Sequence, residues 1–148
     1  MRTRGFEEVR EDMKRTDGKV KLPQRMTEKA CAYDFFANAT YSVKPNEIVK
    51  IWTDVKSYMK NDEALILNVR SSMGGRFMLA NTQGWIDGDY YENESNDGNI
   101  GIFLKNISDK KQTIMQGDRI AQGMFIKCLT IDNDNAHTKR TGGFGSTN

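Results

Sequence analysis

The sequence has few of the residues that build disulfide frameworks or zinc sites. Its 148 residues include two cysteines and one histidine, and no Cys-x-x-Cys pair occurs. Cys31 and Cys128 lie far apart, and His137 lies in a polar stretch, so a disulfide scaffold and a zinc site are disfavoured. We expect both thiols to be reduced and packed, since Cys31 lies between alanines and Cys128 ends an apolar strand pattern.

Long apolar runs and an excess of charge of one sign are also missing. No run approaches the roughly 20 apolar residues of a membrane span, and the first 15 residues alternate acids and bases where a secretory signal would be apolar. The 22 basic and 20 acidic side chains give a net charge of only +2. We therefore expect one cytoplasmic domain that binds neither membranes nor nucleic acid.

Alternation of apolar and polar residues is the main structural signal after Val20. It predicts short strands separated by Gly, Asn and Asp clusters, and thus an all-β sandwich, jelly roll or barrel. The apolar positions of the predicted strands are Val49-Ile51-Thr53, Leu65-Leu67-Val69, Ile100-Ile102-Leu104 and Ile120-Gln122-Met124-Ile126-Cys128.

Two segments have weaker helical patterns. Phe6, Val9 and Met13 recur at helical spacing and predict a short amphipathic helix near the N-terminus. Residues 53–59 form the interior helix candidate, with Thr53 or Asp54 as its cap.

The segment 81–91 concentrates unusual residues between two predicted strands. Gly84 and Gly88 permit tight backbone geometry, so main-chain groups could face the edge of a base. Asp87 and Asp89 point the same way if the stretch is extended. The alternative is an ordinary Asp/Gly turn with solvated acids.

Two further segments are rich in groups suited to anions. Arg70, Ser71 and Ser72 end a strand beside a glycine turn and offer donors for phosphate oxygens. Gln122 falls on the same side as Ile120 and Met124, where a polar group needs a backbone, subunit or ligand partner. A surface arginine beside a serine turn is also common without any ligand.

The C-terminal residues combine flexibility with anion-binding chemistry. Glycines 142, 143 and 145 leave backbone N–H groups accessible, while Arg140, Ser146 and Thr147 add donors for a polyphosphate. Phe144 lies between glycines and could stack on a nucleobase. A merely flexible terminus is the alternative.

Taken in order, these segments resemble the motifs of the homotrimeric deoxyuridine triphosphatase (dUTPase) family. The strings Gly-Asp-Arg-Ile-Ala-Gln and Gly-Gly-Phe-Gly-Ser-Thr are the most specific. The five matching segments are residues 32–37, 70–74, 81–90, 117–122 and 140–147.

The resemblance implies a jelly-roll-like β-clip barrel at residues 1–137 and a flexible arm at 138–148 that closes the active site. It implies a homotrimer whose sites are each built from three chains, with the segment 81–90 supplied by a neighbour. The implied reaction is hydrolysis of dUTP to dUMP and pyrophosphate with Mg²⁺. The ion would be carried on the triphosphate, with no direct protein ligand.

The resemblance also assigns roles to individual residues. Asp87 would activate the water that attacks the α-phosphate, and Asp34 would be structural or tail-orienting. Asn81 and the hairpin backbone, including Gly84, would read uracil, while Tyr90 would pack on deoxyribose and exclude a ribose 2′-OH. The remaining substrate contacts would be Arg70, Ser71, Ser72 and Gln122, with Phe144 over the base and Arg140, Gly145, Ser146 and Thr147 on the terminal phosphates.

Departures from the family pattern indicate a particular branch and leave two alternatives. Ala32 replaces a usual glycine, and residues 91–97 look like an insertion, a pattern similar to Gram-positive bacterial and phage members. One alternative is a dCTP deaminase, which would need a catalytic glutamate in the segment 81–90 and a different C-terminal arm. The other is a dUTP-binding signalling protein with an unidentified regulatory protein partner, contacted through the loop 93–98 or the charged N-terminus.

Overall fold

The computed structural model describes residues 2–143. Within these residues the fold is all-β, with three single-turn 3-10 helices at Glu11–Met13, Ser71–Met73 and Gly88–Tyr90. No helix in the described part has the length and apolar character needed to cross a bilayer. The strands are β1 (Gly5–Glu8), β2 (Tyr33–Phe36), β3 (Tyr41–Val43), β4 (Ile48–Trp52), β5 (Val55–Tyr58), β6 (Glu63–Asn68), β7 (Phe77–Leu79), β8 (Gly84–Asp87), β9 (Gly101–Asn106), β10 (Gln112–Ile114) and β11 (Arg119–Lys127).

Two larger antiparallel sheets carry most of the structure. One has the order β2-β11-β6-β8, and the other has the order β4-β9-β7. Two further antiparallel pairs, β1-β5 and β10-β3, complete the fold. The core draws on both larger sheets, and its most deeply buried side chains include Phe35, Leu65, Ile51, Ile102 and Leu104.

Alternation in β8 and β9 determines which side chains reach solvent. In β9, Ile102 and Leu104 point into the core, as the sequence pattern predicts. In β8, Gly84 and Ile86 are buried while Trp85 and Asp87 are exposed. The four strands predicted from apolar alternation are confirmed as β4, β6, β9 and β11.

Both helix predictions are wrong. Residues 53–59 instead contain β5, which pairs with β1, and Asp54 has a φ of 58°, outside the helical region. Near the N-terminus the chain forms β1, where Phe6 packs edge-on against Tyr33 and Phe35. A short isolated helix gains little stability in water, so strand pairing and aromatic packing decide the conformation instead.

Two expectations about side-chain position also need correction. Cys31 is exposed and Cys128 is half-buried, so the prediction that both thiols are packed is wrong for Cys31. In β11 the pairing with β2 shifts between Arg119 and Ala121, and Met124 is 40% exposed. A β-bulge changes which side of a strand faces the core, so simple alternation assigned Met124 to an apolar face wrongly.

Candidate active site

Asp87 lies at the end of strand β8, where its exposed side chain lines a cavity of about 340 Å³. Gly84 starts the strand, and a Cβ there would lie 3.0 Å from Leu67 Cβ, so a larger residue would require Leu67 to shift by a few tenths of an ångström. The cavity is lined by Leu67, Leu79, Ala80, Asn81, Gly84, Trp85, Ile86, Asp87, Tyr90, Gly101, Phe103, Arg140 and Gly143. Its volume and mixed apolar and polar lining suit a small organic ligand.

Arg140 joins the two acidic residues of this hairpin. Its Nε donates to Asp89 Oδ1 at 2.7 Å, and its Nη2 donates to Asp87 Oδ2 at 2.5 Å. The 3-10 turn Gly88–Tyr90 follows Asp87 directly, so the extended geometry considered for the two acids is not the one observed. They meet at one guanidinium, whose fork of donors can hold two carboxylates at once.

Tyr90 forms a rigid wall of the same cavity. Its hydroxyl donates to the backbone carbonyl of Asn99 at 2.5 Å and accepts from Asn96 Nδ2 at 2.7 Å. Burial raises the pKa of Tyr90 to about 12, although the hydrogen bond from Asn96 acts in the opposite direction. A Cβ added at Gly143 would overlap the Tyr90 ring, so the C-terminal segment approaches this wall closely.

A second cluster lies where β2, β6 and β11 meet. Asp34, buried in β2, pairs with Arg70 Nε at 3.3 Å and with Arg119 Nη1 at 3.4 Å. Arg70 also donates to Ser72 Oγ at 3.0 Å, at the start of the 3-10 turn Ser71–Met73. An arginine held by a buried carboxylate keeps its remaining donors oriented, which suits the binding of an anion.

The two clusters occupy different places on the chain. A cavity of about 310 Å³ at the second cluster is lined by Met26, Ala30, Cys31, Ala32, Asp34, Arg70, Ser71, Arg119 and Gln122. As lined by the described residues, this cavity and the one beside Asp87 have no residue in common. Ser72 lines a third cavity, which also contacts Arg70 and Arg119.

The predicted site residues therefore divide into two groups. Asn81, Gly84, Asp87, Tyr90 and Arg140 come together beside β8, whereas the other described site residues gather around Asp34. Phe144, Gly145, Ser146 and Thr147 lie outside the described residues, and their predicted contacts stay predictions.

Comparison with known proteins identifies the family. The family model described as dUTPase matches residues 18–148. The chain belongs to the dUTPase family.

Individual dUTPases extend this match to nearly the whole chain. The deoxyuridine 5'-triphosphate nucleotidohydrolase of Lactococcus lactis is 40% identical over 151 aligned positions, covering 99% of both chains. The crystal structure of the Streptococcus mutans dUTPase superposes with a TM-score of 0.75 at 37% identity, covering 87% of this chain and 99% of that one. The predicted membership of the dUTPase family and the predicted jelly-roll fold are thereby confirmed.

A phage dUTPase shares the fold at lower identity. The enzyme of phage phi11 of Staphylococcus aureus has a TM-score of 0.69 at 20% identity, covering 93% of this chain and 98% of that one. That structure contains a structural Mg(II) ion. Among residues 2–143 of the present dUTPase, no cluster of three or more His, Cys, Asp or Glu side chains could hold a metal ion.

The oxygen donors near the main cavity nevertheless fit a hard cation. The Asp87 and Asp89 side chains are 54% and 61% exposed, and carboxylate oxygens with water are the ligands that Mg²⁺ prefers. Two carboxylates, both paired with Arg140, are too few for a cage made of protein ligands alone.

Sequence reasoning missed several residues that shape the two clusters. Arg119, which pairs with Asp34, has one sequence signal, its place in the Gly-Asp-Arg-Ile-Ala-Gln string. Phe103 and the 60% exposed Trp85 line the main cavity. Asn96 lies in the predicted loop 93–98 and Asn99 directly follows it, and composition alone does not reveal that these polar residues are buried.

Proposed function

We propose that the chain hydrolyses dUTP to dUMP and pyrophosphate with the help of Mg²⁺. The observation that carries this proposal is the exposed carboxylate of Asp87 at the edge of the cavity formed by Asn81, Gly84 and Tyr90. The L. lactis relative, similar over its whole length, is named for this reaction.

Each residue of the cavity has a task that its chemistry suits. Asn81 and the β8 hairpin backbone read the uracil edge, and Tyr90 packs on the deoxyribose. Asp87 accepts a hydrogen bond from the attacking water and orients it toward the α-phosphate, because phosphoryl transfer depends mainly on positioning and electrostatics. When bound on the triphosphate, Mg²⁺ supplies positive charge that offsets the charge of the phosphate oxygens.

The second cluster binds the phosphates in this proposal. Arg70 and Ser71 offer donors, Gln122 adds an amide, and Asp34 holds Arg70 in place. This cluster and the Asp87 cavity share no described lining residue, which supports a site assembled from more than one chain. We infer a homotrimer in which a neighbour supplies the segment 81–90 and the arm at 138–148 closes the site.

The arm already has contacts that would have to change on closure. Arg140 pairs with Asp87 and Asp89, the acids nearest the reaction. A triphosphate carries more negative charge than these two carboxylates, so it would draw Arg140 onto its own oxygens. Phe144 would then cover the base, with Gly145, Ser146 and Thr147 on the terminal phosphates.

The deciding experiment incubates the purified protein and Mg²⁺ with dUTP, UTP and each of the four standard deoxynucleoside triphosphates separately. Pyrophosphate and ammonia are both measured. We expect rapid pyrophosphate release from dUTP alone. Ammonia from dCTP would identify a deaminase instead, and tight dUTP binding without turnover would identify a nucleotide-binding signalling protein.

A further inference from the structure

The loop at residues 91–99, which we call the asparagine loop, is unusually well buried for a polar segment. Asn93, Asn96, Asp97 and Asn99 are each at most 6% exposed. Buried polar groups are costly unless they are hydrogen-bonded, so the contacts of these side chains indicate what the loop is built to hold.

The asparagine loop holds Tyr90 at both ends. At the hydroxyl, Asn96 Nδ2 donates at 2.7 Å and the Asn99 carbonyl accepts at 2.5 Å. At the backbone, Asn93 Nδ2 donates to the Tyr90 carbonyl at 2.8 Å. Asn96 Oδ1 in turn accepts from Asn93 Nδ2 at 2.8 Å and from the Gly98 N–H at 3.0 Å. The Asn96 side chain is therefore held by the loop itself as well as by its contact with Tyr90.

Asp54 binds the C-terminal end of the asparagine loop through Asn99. Asn99 Oδ1 accepts from the Asp54 N–H at 2.9 Å, while Asn99 Nδ2 donates to Asp54 Oδ1 at 2.8 Å. Asp54 also accepts from the backbone N–H groups of Arg15 and Thr16. The anchoring segment thus lies just before residue 18, where the match to the family model begins.

Asp97 provides a second anchor. Its Oδ2 accepts from Lys56 Nζ at 2.9 Å and from the backbone N–H of Arg10 at 2.8 Å. Burial disfavours the Lys56 ammonium, but the hydrogen bonds that it donates to Glu92 and Asp97 outweigh this effect and raise the Lys56 pKa. The asparagine loop is therefore tied to β5 and to the N-terminal segment.

We propose that Asn96 is a positioning residue for sugar specificity, acting through the Tyr90 hydroxyl. This inference rests on the proposed function, in which the Tyr90 ring packs against the sugar. A ring held at its hydroxyl by two buried partners cannot tilt without leaving a polar group unpaired. The cavity wall therefore keeps a shape that accepts 2′-deoxyribose and has no space for a 2′-OH.

The test compares kcat and KM for dUTP and UTP in the wild-type protein, Asn96→Ala, Tyr90→Phe and the double variant. We expect Asn96→Ala to lower the preference for dUTP over UTP by about fivefold to tenfold, the effect of losing one hydrogen bond. Its KM for dUTP rises while its kcat changes less, because the altered wall binds the sugar and does not touch the reacting phosphate. Glu94→Gln, at an exposed position of the same loop, is the matched control and should keep the wild-type preference.

The double variant separates positioning from general destabilisation. If Asn96 acts through the hydroxyl, Asn96→Ala has no further effect on the preference once Tyr90 is Phe. An equal effect of Asn96→Ala in both backgrounds, or a preference for dUTP unchanged within about twofold in Asn96→Ala, would overturn the inference.

If Asn96→Ala does not fold, Tyr90→Phe decides alone: an unchanged preference for dUTP in that variant would rule out anchoring through the hydroxyl. Failure of the proposed function is distinguishable, since the wild-type protein would then not hydrolyse dUTP at all.

Discussion

Asp87 is the single residue on which the proposed chemistry depends most. Alternation along β8 turns its side chain outward, and its carboxylate is 54% exposed at the edge of the main cavity. Asp89 lies two residues later, shares the contact with Arg140 and has similar exposure. The two carboxylates share the Arg140 contact, but only Asp87 lines the main cavity, which makes Asp89 a matched control for mutagenesis.

Asp87→Asn should retain nucleotide binding but lose turnover. An amide fills the same space yet cannot accept a proton from the attacking water, so we expect kcat to fall by about 100-fold to 10,000-fold. Asp89→Asn, the control, should change kcat far less. Pyrophosphate release measures turnover, and calorimetric titration with a non-hydrolysable dUTP analogue measures binding. Near-normal kcat in Asp87→Asn would remove Asp87 from the catalytic role.

The raised pKa of Tyr90 predicts that the stability of the protein depends on pH. Burial raises the Tyr90 pKa from 10.0 to about 12, so the folded protein binds the phenolic proton more tightly than the unfolded chain does. The protonated Tyr90 hydroxyl therefore contributes to the free energy of unfolding. This contribution is complete below the tyrosine pKa of the unfolded chain, and it is lost as the pH rises through the Tyr90 pKa of the folded protein.

Urea denaturation of the wild-type protein and Tyr90→Phe at increasing pH tests this. The difference between their free energies of unfolding should be constant below the ordinary tyrosine pKa. Above it, wild-type stability should fall relative to Tyr90→Phe by up to about 1.4 kcal/mol per pH unit until the pH passes the raised pKa. A difference that does not change with pH would show that Tyr90 titrates normally in the folded protein.

At the scale of elements, alternation predicts strands well where each strand has one buried face. Ile102 and Leu104 in β9 are of this kind. Residues 53–59 were misread because Thr53 and Asp54 are common helix caps, whereas here both are buried and hydrogen-bonded to residues 99 and 100. Hydrogen bonds between residues far apart in sequence produce no periodic pattern, so they cannot be predicted from alternation. The burial of the asparagines at 93–99 could not be predicted for the same reason.

Buried Asp54 holds the part of the N-terminal segment around Arg15 and Thr16. Its two oxygens accept hydrogen bonds from the Arg15 N–H, the Thr16 N–H and hydroxyl, and Asn99 Nδ2. Removing this acceptor leaves several buried donors unpaired, which is far more costly than losing an exposed contact.

Asp54→Ala should therefore destabilise the protein by about 2–4 kcal/mol and release the segment near Lys14 and Arg15. The free energy of unfolding is measured by urea denaturation, and early tryptic cleavage after Lys14 or Arg15 reports the release. Asp17→Ala, at an exposed position nearby, should match the wild-type protein in both assays. Equal protection of the segment in Asp54→Ala would mean that β1 pairing alone holds it.

At the scale of the whole molecule, the predicted site residues of one chain lie in two clusters. The Asp87 cavity and the Arg70 cluster have no lining residue in common among those described. In the proposed homotrimer, a second copy brings its Asp87 cavity to the Arg70 cluster of the first chain. Closed cyclic symmetry then completes every site in the same way.

Mixing two inactive variants tests this arrangement directly. Asp87→Asn and Arg70→Ala should each be inactive as homo-oligomers, because one removes the water-positioning carboxylate and the other a phosphate contact. If the two residues of a site come from different chains, co-refolding equal amounts should restore about one quarter of wild-type activity, since random assembly completes that fraction of sites. Each variant refolded alone and then mixed without exchange is the control. Activity that stays at the level of the separate variants would place Asp87 and Arg70 of each site on one chain.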